Sequence, residues 1–79
     1  MRSVRTDAYQ AVIEALKEAR QRANLTQREL AERLGRPQSF VAKYETGERR
    51  VDVAEFIAIA RAIGADPVRL LSQVASKLP

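Results

Sequence analysis

The 79-residue chain has no cysteine and no histidine. The first absence removes any disulfide and leaves the redox compartment unreadable. Together they exclude zinc sites and the Ser/His and Cys/His arrangements of nucleophilic catalysis. No apolar run approaches the ~20 residues of a membrane span. The opening MRSVRTDAY lacks the apolar stretch of a signal peptide, so a cytoplasmic protein is expected. Strand-like alternation, internal repeats, low-complexity tracts and an interdomain linker are also missing. A chain this short makes one domain. Such a domain buries roughly 60% of its unfolded surface, with little room for an enclosed active site. The carboxylates fall mostly at helix starts or beside basic residues, and no nucleophile, base and acid come together. An enzyme is not expected, nor is a metal, a cofactor or a small-molecule substrate.

What remains is a soluble, helical composition: 46% hydrophobic and 30% charged residues, with a net charge of +4. The positive balance favours a polyanionic partner, though only weakly when taken alone. Residues 1–6 read as a short, flexible basic arm, and residues 7–79 as the single folded domain. Helix 1 is predicted to begin after Asp7, an N-cap with Gln10 three residues on. Ala8, Tyr9, Val12, Ile13, Leu16, Ala19 and Ala23 share its apolar face. Asn24 suits the left-handed residue that ends such a helix. Thr26 and Glu29 form a capping box for helix 2, whose inward residues are Leu30, Ala31 and Leu34 before Gly35.

Helix 3 is predicted from Pro37, as a first helical residue, to Thr46, with Gly47 as its cap. A second capping box, Asp52 and Glu55, opens helix 4, which Gly64 stops. The helix 4 wheel is apolar or alanine nearly all round, so burial on more than one side is expected. Asp66 and Pro67 open helix 5, where Val68, Leu70, Leu71, Val74, Ala75 and Leu78 form a broad apolar arc. Five short helices need no sheet to bury these faces, and the expected class is all-α.

Thr26 to Gly47 is the informative stretch: helix, tight turn at Gly35-Arg36-Pro37, helix. At 100° per residue, Pro37, Phe40, Val41 and Tyr44 fall in one arc of helix 3, about 100° wide. Gln38, Ser39, Ala42, Lys43 and Thr46 fall in another of about 140°. The second arc carries an amide, hydroxyls and an ammonium, and no acid. An amide can bond adenine bidentately, lysine the guanine acceptors, and serine either, while alanine allows close approach to a groove. Gln38, Ser39 and Lys43 are therefore candidate base readers. Arg36, Arg49, Arg50 and Gln27 flank the arc and, with Thr46 within it, are candidate backbone contacts, with the helix 2 N-terminus a further phosphate seat.

The chain resembles the Cro/CI-type helix-turn-helix regulators, the xenobiotic-response-element family. The resemblance rests on Leu25-Thr26-Gln27, Glu29-Leu30-Ala31, Leu34-Gly35, Gln38-Ser39, Val41, Tyr44-Glu45 and Gly47, and extends through Ala62-Ile63-Gly64 and Leu70-Leu71. It implies a five-helix, lambda-repressor-like DNA-binding domain, a homodimer in many members, and operator binding by helix 3. Pro37 stands where many members carry a small polar residue. The resemblance also implies that Arg20, which intrudes into the apolar arc of helix 1, pairs with Glu45 across the fold.

A lone domain of this size reads few base pairs. Two copies would meet half-sites about 34 Å apart on a near-palindromic operator. Ile57, Val74 and Leu78 are candidate seam residues, though each also suits an ordinary core. The expected function is transcriptional regulation on double-stranded DNA, with repression by occupancy the leading mode. The alternatives are a helical protein-interaction module, and an antitoxin or restriction-modification controller with the same fold.

Overall fold

The computed structural model describes the backbone of residues 4–79 and the side chains from Asp7 onward. Five helices follow in order: α1 (Val4–Arg22), α2 (Gln27–Leu34), α3 (Gln38–Thr46), α4 (Val53–Ile63) and α5 (Pro67–Ser76). No strand occurs among the described residues, and the fold is all-α.

Local chemistry sets most of the breaks. Asn24 closes α1 in the left-handed conformation at φ 58°, and the Leu25 N–H donates to the Arg20 carbonyl at 3.1 Å. Thr26 and Glu29 make a reciprocal capping box at the start of α2, with bonds of 3.0 and 2.8 Å. Gly35 ends that helix at φ 67°, a conformation that costs a residue with a Cβ roughly 1–2 kcal/mol. Asp52 and Glu55 repeat the box at α4. Asp66 accepts from the Val68 and Arg69 N–H groups ahead of α5, with Pro67 in the first turn.

Two boundaries differ from the sequence reading. Helix α1 begins at Val4 rather than after Asp7. No proline or glycine interrupts Val4-Arg5-Thr6, and Asp7 sits within the first turn, where its charge favours the positive end of the helix dipole. Of the arm expected over residues 1–6, the first three lie outside the described residues. Pro37 is the N-cap of α3 rather than its first helical residue, with φ −64° and an extended ψ of 152°. Its ring fixes φ but leaves ψ open, and its carbonyl accepts the Phe40 N–H at 3.0 Å.

Leu16 of α1, Leu30 of α2, Val41 and Tyr44 of α3 and Ile59 of α4 are fully buried at the centre. Leu70 and Val74 of α5 close one side. Arg33 of α2 donates to the Ala62 carbonyl at 2.9 Å, occupying one of the last acceptors of α4. Helix α4, expected to be buried on more than one side as the central helix or as part of a dimer seam, packs against three helices but leaves part of its surface exposed in this chain. Only Phe56, Ile59, Ala60 and Ile63 face inward, while Val53 is exposed and Ile57 is 38% exposed. Helices α1, α2 and α5 all pack against α4. Helix α5 departs likewise, with Val68 at 77% exposure and Leu71 outside the core. Val74 is 5% exposed and belongs to this monomer's interior, so it is withdrawn as a seam residue.

The Tyr44 hydroxyl is buried without a hydrogen-bond partner among the described residues. Burial, with the Glu45 charge adding to it, pushes its pKa up, so the phenol stays neutral. A buried unpaired hydroxyl costs ~1–3 kcal/mol of desolvation. Tyr44→Phe should therefore leave stability in urea unfolding unchanged or raise it by up to that amount. A loss above ~1 kcal/mol would mean that the hydroxyl is bonded in solution.

Candidate nucleic-acid interface

Helix α3 divides into a buried and an exposed side, although Pro37, which periodicity groups with the buried residues, is exposed as the N-cap. Phe40, Val41 and Tyr44 are buried, whereas Gln38, Ser39, Lys43 and Thr46 are exposed, with Ala42 half-buried among them. The first turn of α3 contains no acid. Its N-cap is a proline that offers no side-chain acceptor, so the positive end of the helix is not neutralised locally. The Thr46 hydroxyl donates to the Lys43 carbonyl at 3.1 Å, which leaves its lone pairs outward. These five side chains form a polar to cationic ridge along one helix.

Stepping 100° per residue puts Glu45 at one edge of this ridge, next to Gln38, and Phe40 at the other, next to Lys43. Each edge is held by a carboxylate and arginine. At the first edge, the Arg20 guanidinium donates to both Glu45 oxygens at 2.8 and 3.0 Å, and to the Leu25 carbonyl at 2.7 Å. The two side chains are 11% and 3% exposed. The hydrogen bond to Glu45 pushes the Arg20 pKa up despite burial, so the guanidinium stays charged. Gln27 completes the group: its amide nitrogen donates to Glu45 at 2.9 Å. The residue proposed to touch the DNA backbone is thus oriented from behind, with one amide N–H committed and the other available.

At the second edge, the Phe40 ring packs edge-on to Tyr44 with centroids 5.5 Å apart. Two guanidiniums lie over it, Arg36 at 4.2 Å and Arg49 at 4.8 Å, attracted by the negative ring face. Both also reach Glu55. Arg49 binds it bidentately at 3.0 and 2.8 Å, and Arg36 makes one longer bond at 3.3 Å. Arg49 donates further to the Arg50 carbonyl at 2.8 Å. Arg50 lies over the Tyr9 ring at 4.1 Å, and the Tyr9 hydroxyl accepts the Val51 N–H at 3.0 Å. The loop between α3 and α4 is pinned to α1 in this way, with the Arg50 side chain exposed.

Arg36 and Arg49 therefore gather beside α3, Arg50 lies over Tyr9 of α1, and Gln27 stands at the other edge of α3. Two features escaped the sequence reading. Phe40 is the platform under two cations, and Glu55 is their shared partner. Glu55 shows in the sequence as a capping residue, but nothing local links it to Arg36 nineteen positions earlier. The start of α2 also differs from a vacant phosphate seat, because Thr26 and the Glu29 carboxylate already cap it.

The α3 ridge is convex. A hollow of about 480 Å³ lies elsewhere, between the ends of α1 and α4 and the start of α5, lined by Arg22, Ile63, Arg69 and Gln73 among others. Among the described residues, no group of three or more His, Cys, Asp or Glu could hold a metal ion. No described helix is long and apolar enough to cross a membrane.

A family model described as a helix-turn-helix domain matches residues 14–72. No curated protein matches the chain. Among solved structures, the chain is similar to an XRE-family like protein from Pseudomonas syringae pv. tomato str. DC3000. The two are 53% identical, the match covers 96% of this chain and 93% of that one, and the TM-score is 0.92.

Removing one partner of the Arg20–Glu45 pair strands the other. Arg20→Ala should cost ~3–5 kcal/mol, out of a total of about 4–12 kcal/mol for a chain of this length. Urea denaturation at 25 °C should register that loss as a much lower midpoint. Replacing both partners by apolar residues of similar size should recover much of the loss.

The Glu55 pKa falls from an ordinary 4.5 to about 2. The hydrogen bonds from Arg49 are the main cause, followed by the one from the Asp52 backbone. A depressed carboxylate stabilises the fold fully above its unfolded value and loses that contribution as pH falls through its folded value. Thermal melts between pH 4.5 and 2 should therefore show a shallower acid decline for Glu55→Gln than for the parent.

Proposed function

Because the chain belongs to the Cro/CI-type helix-turn-helix family of DNA-binding regulators, we propose that it is a repressor acting as a homodimer on a near-palindromic operator, with α3 in the major groove. The observation that carries the proposal is the acid-free, exposed ridge of Gln38, Ser39, Ala42, Lys43 and Thr46 on an otherwise buried helix. In the groove, Gln38 suits adenine, Lys43 the guanine acceptors, and Ser39 either donor or acceptor. The small Ala42 lets the backbone sit deep. Arg50 and the second amide N–H of Gln27 suit the phosphates, setting register without reading sequence; the Thr46 hydroxyl would join them by turning its proton away from the Lys43 carbonyl.

The seam reading now rests on Ile57 and Leu78, with Leu71 nearby in sequence. These are among the apolar side chains of α4, α5 and the C-terminal end that this chain leaves wholly or partly uncovered. Pairing across them would double a short reading surface and set half-sites about 34 Å apart. Residues 7–79 form the single DNA-binding domain in this reading, with the first turn of α1 extending it to Val4. Occupancy of a promoter suffices for repression. A protein-docking role draws its support from the exposed Val53 and Val68, and a low-salt mobility shift on random duplex separates it from DNA binding. No shift at all would overturn the repressor reading in favour of docking.

Selection of bound duplexes from a random pool should return two inverted half-sites one helical turn apart. On the selected site, Gln38→Ala should cost ~1–3 kcal/mol and relax preference at one position per half-site. Equal losses on selected and random DNA would contradict its assigned role. Arg50→Ala should weaken both DNAs alike and lower the dependence of log K on log salt by about 0.9 per protomer.

A further inference from the structure

We infer that Glu55 is an internal stand-in for a DNA phosphate, an affinity-determining residue that occupies Arg36 and Arg49 in the free protein and competes with the duplex for Arg36. The inference rests on the reading of α3 as the groove helix, since a helix in the major groove has a phosphate strand along each flank. Phe40 marks the flank in question. It borders Lys43 on the α3 wheel and carries both guanidiniums on its ring at 4.2 and 4.8 Å. The cations are therefore held where a backbone strand would run, and a carboxylate already sits among them.

The geometry separates the two arginines. Arg49 makes a bidentate pair with Glu55 and a third bond to the Arg50 carbonyl, all between 2.8 and 3.0 Å. It is fixed by the loop it belongs to, which Tyr9 in turn pins to α1. Arg36 makes one bond of 3.3 Å at the more exposed side of the cluster. A planar guanidinium bonds phosphate oxygens as it bonds carboxylate oxygens, often in pairs. Arg36 would therefore exchange one long, solvent-screened bond for a better one on the duplex. Glu55 itself is 17% exposed and anchored to the Asp52 N–H at 3.1 Å. It stays in place as the phosphate arrives, so its charge opposes the approach. Two arginines with one carboxylate present a net +1 rather than +2. The sequence-independent part of binding is correspondingly trimmed and its salt dependence flattened.

The test is Glu55→Gln, with binding to random duplex measured over a range of salt concentrations. Glutamine serves in a capping box as glutamate does, so the start of α4 is preserved. A thermal melt at neutral pH checks that the variant is folded. Several-fold tighter binding at low salt is expected, with the slope of log K against log salt steeper by up to about 0.9 per protomer. Arg36→Gln added to that variant should return the slope to the parent value. Unchanged or weaker binding by folded Glu55→Gln overturns the inference, since Glu55 would then be inert or would position the arginines for DNA. Persistence of the steeper slope in the double variant overturns the role of Arg36. If the parent itself fails to bind random duplex, the groove-helix reading fails; if the parent binds and Glu55→Gln does not tighten, only the phosphate stand-in fails.

Discussion

Glu45 is a carboxylate at 3% exposure, and its solvation has been replaced by a guanidinium and an amide. That substitution requires three segments to meet at one point. Arg20 comes from α1 and also holds the Leu25 carbonyl of the α1–α2 connection. Gln27 comes from the first residue of α2, and Glu45 from the last turn of α3. The apolar contacts of Leu30, Val41 and Tyr44 would tolerate small slips of one helix on another. A buried ion with fixed donors tolerates far less, because each lost bond exposes a desolvated charge. The angle at which α3 leaves α2, and so the ridge it presents, is tied to this group. It also places a donor-bearing amide at the ridge edge, joining the stability of the domain to its outward chemistry.

The opposite edge is built on different terms. Phe40 supplies a buried ring, and its outer face collects cations from the turn before α3 and the loop after it. Like charges would disperse without the Glu55 carboxylate, so the cluster is a compromise between cation–π attraction, repulsion and shared pairing. Counting charge along the chain gives +4 and says nothing of this. Locally, two of the arginines that flank α3 are partly neutralised, while Lys43 and Arg50 remain exposed. The field beside the ridge comes from which arginines are paired, more than from how many there are.

Size imposes the remaining constraint. With five helices of 8 to 19 residues, the interior admits one layer of side chains from each. Helix α4 is apolar around most of its circumference, yet it buries one stripe. Among the described residues, Val53 is left 76% exposed and Ile57 38%. A small regulator with such a surplus either carries exposed apolar surface at some cost in solubility or covers it with a second copy.

The helix count, four of the five starts to within a residue, and the polar ridge of α3 were legible in the sequence. Their causes are local: capping boxes, a proline beside each of two helix starts, and left-handed Asn24, Gly35, Gly47 and Gly64 act over three or four residues. Periodicity also separated Phe40, Val41 and Tyr44 from Gln38, Ser39 and Lys43, because α3 is long enough for two turns and has one buried side. The start of α1 was misplaced for a related reason: an acid suits a first turn as well as an N-cap, and only the observed backbone distinguishes them. Tertiary structure alone decided the rest. It joined Glu55 to Arg36 and Arg49, set Phe40 beneath them, tied Gln27 to Glu45, and assigned Val74 to the core and Val68 to solvent. Those outcomes depend on distances between segments far apart in the chain, and hydrophobic pattern specifies which side of a helix is apolar without specifying what, if anything, will lie against it.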